Sequence, residues 1–85
     1  MRTHPAVVFT PLDDNEGILL HLDTKRYYTL NESGCRIWQM AAAGRTAGEI
    51  ARALTQEYAI DEADALAHTD ALLHDLASEQ LILPG

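Results

Sequence analysis

The sequence predicts an α+β domain in which a three-stranded antiparallel sheet is followed by three helices. Three observations carry this. Up to residue 30 the chain has runs of β-branched, aromatic and apolar residues between polar turns, with a period of two in Ile18–Asp23. From Asn31 onward the apolar spacing becomes helical, and the connections are short throughout.

Ala6–Leu12 is rich in Val, Phe and Thr and reads as the first strand, ended by the polar run Asp13–Gly17. Pro11 suits an edge strand, where a missing N–H breaks no ladder. In Ile18–Asp23, Ile18, Leu20 and Leu22 alternate with Leu19, His21 and Asp23, the pattern of a half-buried strand. Asp23–Arg26 is a second turn, and Tyr27–Leu30 is a short third strand at one edge of the meander. Asn31 is a good N-cap for the first helix, with Gly34, Ile37, Trp38 and Ala41 on one face and Gly44 as its stop. Thr46-Ala47-Gly48-Glu49 matches a capping box and opens a second helix with Ala47, Ile50, Leu54 and Tyr58 on one side. Asp61 caps a third helix, where Glu62 and Asp64 suit the positive end of the dipole. Its expected core stripe is Leu66, Leu73, Leu76 and Ala77, with Leu72 displaced from it; Leu81–Leu83 then packs back on the domain.

Residues 1–85 form one domain, with no repeat, low-complexity tract or linker. The net charge is −7, and residues 61–85 carry six acidic side chains with no Lys or Arg. Phosphate binding needs basic residues that release counterions, so nucleic acid is a poor partner. No apolar stretch approaches the ~20 residues of a membrane span, and Met1–Pro11 lacks the apolar block of a signal peptide. The lone Cys35 excludes an internal disulfide and fits a cytoplasmic setting.

Few residues suggest chemistry. Asp64/His68 and Asp70/His74 each pair a carboxylate with an imidazole at i, i+4, but His68 and His74 fall on different faces, so solvated side chains are the preferred reading over a metal site. Cys35 lies in a first helical turn that favours a thiolate, yet no oriented base or oxyanion hole accompanies it, and a buried apolar role is preferred. No cofactor motif is present. Tyr27-Tyr28 is a weak stacking platform with only Lys25 and Arg26 nearby; Trp38 and Tyr58 read as core. What remains is backbone: a short edge strand exposes unpaired N–H and C=O groups, and strand addition uses such groups to hold a peptide. The third helix would wall that groove, with Leu72 and His68 off its core stripe.

His21-Leu22-Asp23, then Tyr27-Tyr28-Thr29-Leu30-Asn31-Glu32-Ser33-Gly34 and Ile37-Trp38, followed by Gly44-Arg45-Thr46, Glu49-Ile50, Leu54, Tyr58 and Leu72-Leu73-x-x-Leu76, resemble the PqqD-like family of peptide-recognition elements. The resemblance spans about residues 7–83, and Y-x-L-N-x-x-G-x-x-I-W is its most specific part. Two departures stand out: the Asp23–Arg26 turn lacks a glycine often found there, and Gln80 replaces a glycine before the final apolar pair. The resemblance implies a winged-helix-like fold and a non-catalytic module that binds the leader segment of a ribosomally made precursor peptide. The leader would add as a strand between the third strand and the third helix and be presented to another enzyme. That partner would be a cysteine-protease-like leader peptidase in lasso-peptide systems, or a radical SAM enzyme in pyrroloquinoline quinone synthesis. The compact turn and the Arg-Tyr-Tyr-Thr-Leu-Asn wording favour the lasso type. Tyr27, Tyr28, Thr29 and Leu30 are expected to supply strand pairing and pocket walls. His68, Leu72, Asp75 and Leu76 are expected on the helix side, with Asp75 free to meet a basic leader residue. A winged-helix DNA-binding regulator shares the architecture but needs a basic recognition helix, and the third helix has no Lys or Arg. A small hydrolase acting through Cys35 is the remaining alternative.

Overall fold

The computed structural model describes residues 2–83; Met1, Pro84 and Gly85 lie outside them. The elements run β1 (Arg2–Thr3), β2 (Val7–Pro11), β3 (Gly17–His21), β4 (Arg26–Leu30), α1 (Glu32–Ala42), α2 (Ala47–Glu57), α3 (Glu62–Ser78) and β5 (Ile82–Leu83). The antiparallel meander has the order β2-β3-β4, so the third strand of the sequence reading is β4 and stands at an edge. Pro11 lies at the end of β2, the other edge. The chain ends meet in a second, two-stranded sheet in which Arg2 pairs with Leu83 and Thr3 with Ile82. The packing back of Leu81–Leu83 is therefore a strand pairing, which the sequence reading did not foresee.

Local signals set the helix boundaries. The Asn31 side chain accepts the Gly34 N–H at 2.9 Å. Thr46 and Glu49 close a reciprocal capping box, and Asp61 accepts the Asp64 N–H at 2.8 Å. α1 ends where Gly44 turns left-handed (φ 85°), with Arg45 N–H on the Met40 carbonyl and Gly44 N–H on that of Ala41. α3 ends in the same motif, Leu81 N–H on the Leu76 carbonyl and Gln80 N–H on that of Ala77, but its left-handed residue is Gln80 at φ 59°. Lys25, in the turn that also lacks the family's glycine, has φ 62°. The two departures from the family pattern thus fall where the backbone most favours glycine.

The core gathers Leu19 and Leu30 from the sheet, Ile37, Trp38 and Ala41 from α1, Ile50, Ala51 and Leu54 from α2, and Leu73 and Leu76 from α3. One expectation about facing is corrected. On α3 the buried row is Ala65, Thr69, Leu73 and Leu76, whereas Leu66 is 39% exposed and Ala77 is exposed. Ala65 and Thr69 are small enough to let the helix approach closely, and this rotation carries Leu66 and Ala77 outward and leaves Leu72 half-buried at the margin. On β3 the inward residues are Gly17, Leu19 and His21, while the more apolar alternates Leu20 and Leu22 face out. Gly17 shows why: a Cβ there would lie 2.5 Å from the Phe9 ring and 3.0 Å from the Cys35 sulfur, so the inner row is matched to a missing side chain.

Candidate peptide-binding groove

The β-ladder determines which backbone groups are free. Leu12 N–H donates to the Glu16 carbonyl and Leu22 N–H to the Ala6 carbonyl, both at 2.9 Å, so even-numbered residues join β2 to β3. Odd-numbered residues of β3 then address β4, as the Lys25 N–H to the His21 carbonyl (2.8 Å) begins to show. With Leu19 opposite Tyr28 and Gly17 opposite Leu30, the β4 residues bonded to β3 are Tyr28 and Leu30. Tyr27 and Thr29 therefore turn both their N–H and their C=O to the open edge.

A cavity of ≈ 460 Å³ lies between that edge and α3. Tyr28, Thr29 and Leu30 form its strand side, and His68, Ala71, Leu72 and Asp75 its helix side. Glu16, Asn31 and Gly34 close one end. At the other end, Arg26 and Glu79 form an ion pair at 3.6 Å, exposed enough to contribute little stability. Gly34 is constrained by the site: a Cβ there would stand 3.1 Å from the capping oxygen of Asn31 and 3.2 Å from a Leu30 methyl. Burial and the charges of Asp75 and Glu79 raise the Tyr28 pKa, so its hydroxyl stays neutral beside an acidic wall.

Six of the eight residues singled out from the sequence, Tyr28, Thr29, Leu30, His68, Leu72 and Asp75, line this cavity. Leu76 does not; it is fully buried in the core, one step further round the helix than Leu72. Tyr27 contributes backbone to the edge while its side chain, 71% exposed, points to the opposite face of the sheet. Asn31 and Gly34 belonged to the quoted motif without being assigned to the site, and their role as cap and spacer is visible there in retrospect. Glu16 and Ala71 carried no signal, because a turn carboxylate and a helical alanine are common everywhere.

The Cys35 thiol lies beneath the groove, buried, with the Leu30 carbonyl 3.9 Å from its sulfur. Burial, then the charges of Asp13 and Glu16, push its pKa up, so the helix dipole does not yield a reactive thiolate. Among the described residues, no three His, Cys, Asp or Glu side chains are grouped to hold a metal ion. No described helix is long and apolar enough to cross a membrane.

Residues 16–82 match the family described as "Coenzyme PQQ synthesis protein D (PqqD)". Two solved structures are similar over almost their entire length. One, "TbiB1 in Complex with the TbiA(beta) Leader Peptide", is 34% identical with a TM-score of 0.92, over 100% of this chain and 98% of that one. The other, "Lasso peptide synthetase B1 complexed with the leader peptide", is 28% identical with a TM-score of 0.88, over 98% and 96%. No curated protein matches the sequence.

Proposed function

The chain belongs to the PqqD family, and from that premise we propose that it captures the leader segment of a ribosomally made precursor peptide as a fourth strand on β4. The observation that carries the proposal is the open edge of β4, where Tyr27 and Thr29 turn their unpaired N–H and C=O groups outward beside the cavity that separates this edge from α3. Both similar structures hold a leader peptide, which supports this class of ligand. Backbone pairing supplies sequence-independent affinity, and the side-chain pockets supply selectivity. Leu72, half-buried between core and cavity, is the apolar anchor point on the helix side. Asp75, at the acidic wall, favours a basic residue in the peptide.

The module does no chemistry and hands the precursor to a partner, of which a cysteine-protease-like leader peptidase of the lasso type is preferred. One of the two similar structures is a lasso peptide synthetase B1, which supports that preference over a radical SAM partner. Leu72→Arg tests the groove: it places a charge in the cavity from a position already partly in water. The melting temperature should stay within a few degrees of wild type, while affinity for the leader drops by about tenfold or more. Unchanged affinity in a folded Leu72→Arg protein would refute the site.

A further inference from the structure

The two walls of the groove carry matched rows of side chains. Along β4, Leu30, Tyr28 and Arg26 alternate onto the face turned to the helices. Along α3 and its C-cap, Leu72, Asp75 and Glu79 follow at helical spacing on the side that meets them. Leu30 and Leu72 make the apolar end, and Tyr28 and Asp75 the middle. Arg26 and Glu79 stand at the far end, where Nη1 and Oε2 are 3.6 Å apart. That single contact leaves the Arg26 side chain 74% exposed. A guanidinium is a fork of several N–H donors, and among the described residues none of those on Arg26 is in a hydrogen bond. Arg36 is the contrast: it holds both oxygens of Glu57, at 2.6 and 3.2 Å, and reaches Gln39 as well. Arg26 is thus a cation placed at the open edge with its donors uncommitted.

A strand added at this edge bonds to Tyr27 and Thr29. Its residues opposite Leu30, Tyr28 and Arg26 then form the non-hydrogen-bonded pairs, in which Cα atoms approach to about 4.5 Å and side chains are closest. Antiparallel addition puts the residue at Leu30 first in the peptide. The residue at Arg26 comes four positions later, the spacing of Leu30 and Arg26 themselves. The first of these side chains meets Leu30 and Leu72, and the second meets Tyr28 and Asp75. The third has Arg26 as its directly opposed neighbour, while Glu79 approaches from the helix layer and already faces the guanidinium. We infer that Arg26 selects an Asp or Glu of the peptide at this third position, its guanidinium then shared between the peptide carboxylate and Glu79. The inference rests on the strand-addition reading and deepens it. Backbone pairing alone fixes a register poorly, because a slip of two residues restores the same bonds and facing. An apolar anchor at one end and a carboxylate four positions on admit one register and one direction.

The test is a selection from a displayed library of random peptides of roughly 12 residues, long enough when extended to cover the groove. It is run on the wild type, Arg26→Glu, Glu79→Gln and Leu72→Arg. Wild-type binders should share an apolar residue followed four positions later by Asp or Glu. Binders to Arg26→Glu should keep the apolar residue and carry Lys or Arg at the later position. The wild-type consensus peptide should bind about two- to fivefold more weakly once its acid becomes the amide, and the charge-swapped pair should return to within about twofold of the original. Glu79→Gln removes the competing carboxylate and should bind the acidic consensus at least as tightly as wild type. Thermal melts matching wild type show that the exposed Arg26→Glu change leaves the fold intact. No charge preference at the later position, or a preference for Lys or Arg that disappears in Glu79→Gln, would overturn the role of Arg26 and leave the groove standing. Binders indifferent to Leu72→Arg would instead overturn the strand-groove reading itself.

Discussion

Thr29→Pro separates the binding edge from the fold more cleanly than any side-chain change. Thr29 lies in the middle of β4, opposite Ile18, in a pair whose N–H and C=O groups point away from β3. Proline there removes one N–H from the open edge and none from the β3–β4 ladder, the situation in which edge strands tolerate it. Tyr28, the residue before it, is already in the extended conformation that a following proline imposes. The fold should survive.

Binding should not. A peptide carbonyl that pairs with the Thr29 N–H would face the proline ring with no donor and, within the groove, little water. Stranding one buried partner costs about 1–3 kcal/mol, or about 5- to 150-fold in affinity. Two controls bracket the result. Thr29→Val keeps the N–H and should bind almost as wild type. Tyr28→Pro removes a donor to β3 and should lower the melting temperature by about 4–8 °C for each kcal/mol lost in a domain of this size. Thermal melts with fluorescence-anisotropy titrations of labelled leader peptide read both quantities. If Thr29→Pro melts like Tyr28→Pro, the ladder assignment is wrong. If it folds and binds as wild type does, the peptide does not pair at this edge.

Three further outcomes follow from the fold. Gln80→Gly relieves a left-handed backbone that costs an L-residue roughly 1–2 kcal/mol, against about 0.5–1 kcal/mol of glycine entropy, so it should raise the melting temperature. A lowered melting temperature would show that the Gln80 side chain holds the end of α3. Gly17→Ala forces the Phe9 ring and the Cys35 sulfur to move and should destabilise by about 1–3 kcal/mol, read by urea denaturation. A neutral result would show that the Phe9 ring swings aside freely on its edge strand. The backbone and hydroxyl of Thr46 hold the Glu49 pKa below its usual range. That stabilisation is present above the unfolded carboxylate pKa and is lost as pH falls through the lower folded value. The melting-temperature gap between wild type and Glu49→Ala should therefore narrow once pH drops below about 4, and a constant gap would refute the capping-box account.

The contrast between what was legible and what was not follows the range of the interactions involved. Asn31, Thr46, Asp61 and Gly44 act on backbone groups within five residues, so each could be read from its own neighbourhood, and the helices begin and end accordingly. Which way a strand or helix faces is a long-range decision. β3 is apolar on both sides, and the choice falls to packing by Phe9 and Cys35 around Gly17, from elements on either side in sequence. α3 carries leucines at 66, 72, 73 and 76, and its rotation is set by how closely Ala65 and Thr69 let it pack. Pairing of β1 with β5 joins residues some 80 apart through two-residue strands too short to show a period. The groove occupies a middle position. Its strand half was legible because an edge strand is defined by its own shortness and by the helix that follows it. Its helix half was legible only where a side chain broke the expected stripe: Leu72 did so, and it lines the cavity. Leu76 obeyed the stripe, and it is buried. Leu66 and Ala77 shared that stripe and yet face out, because the close approach through Ala65 and Thr69 rotates the helix: the stripe is read along one helix, and its facing is set by the elements packed against it.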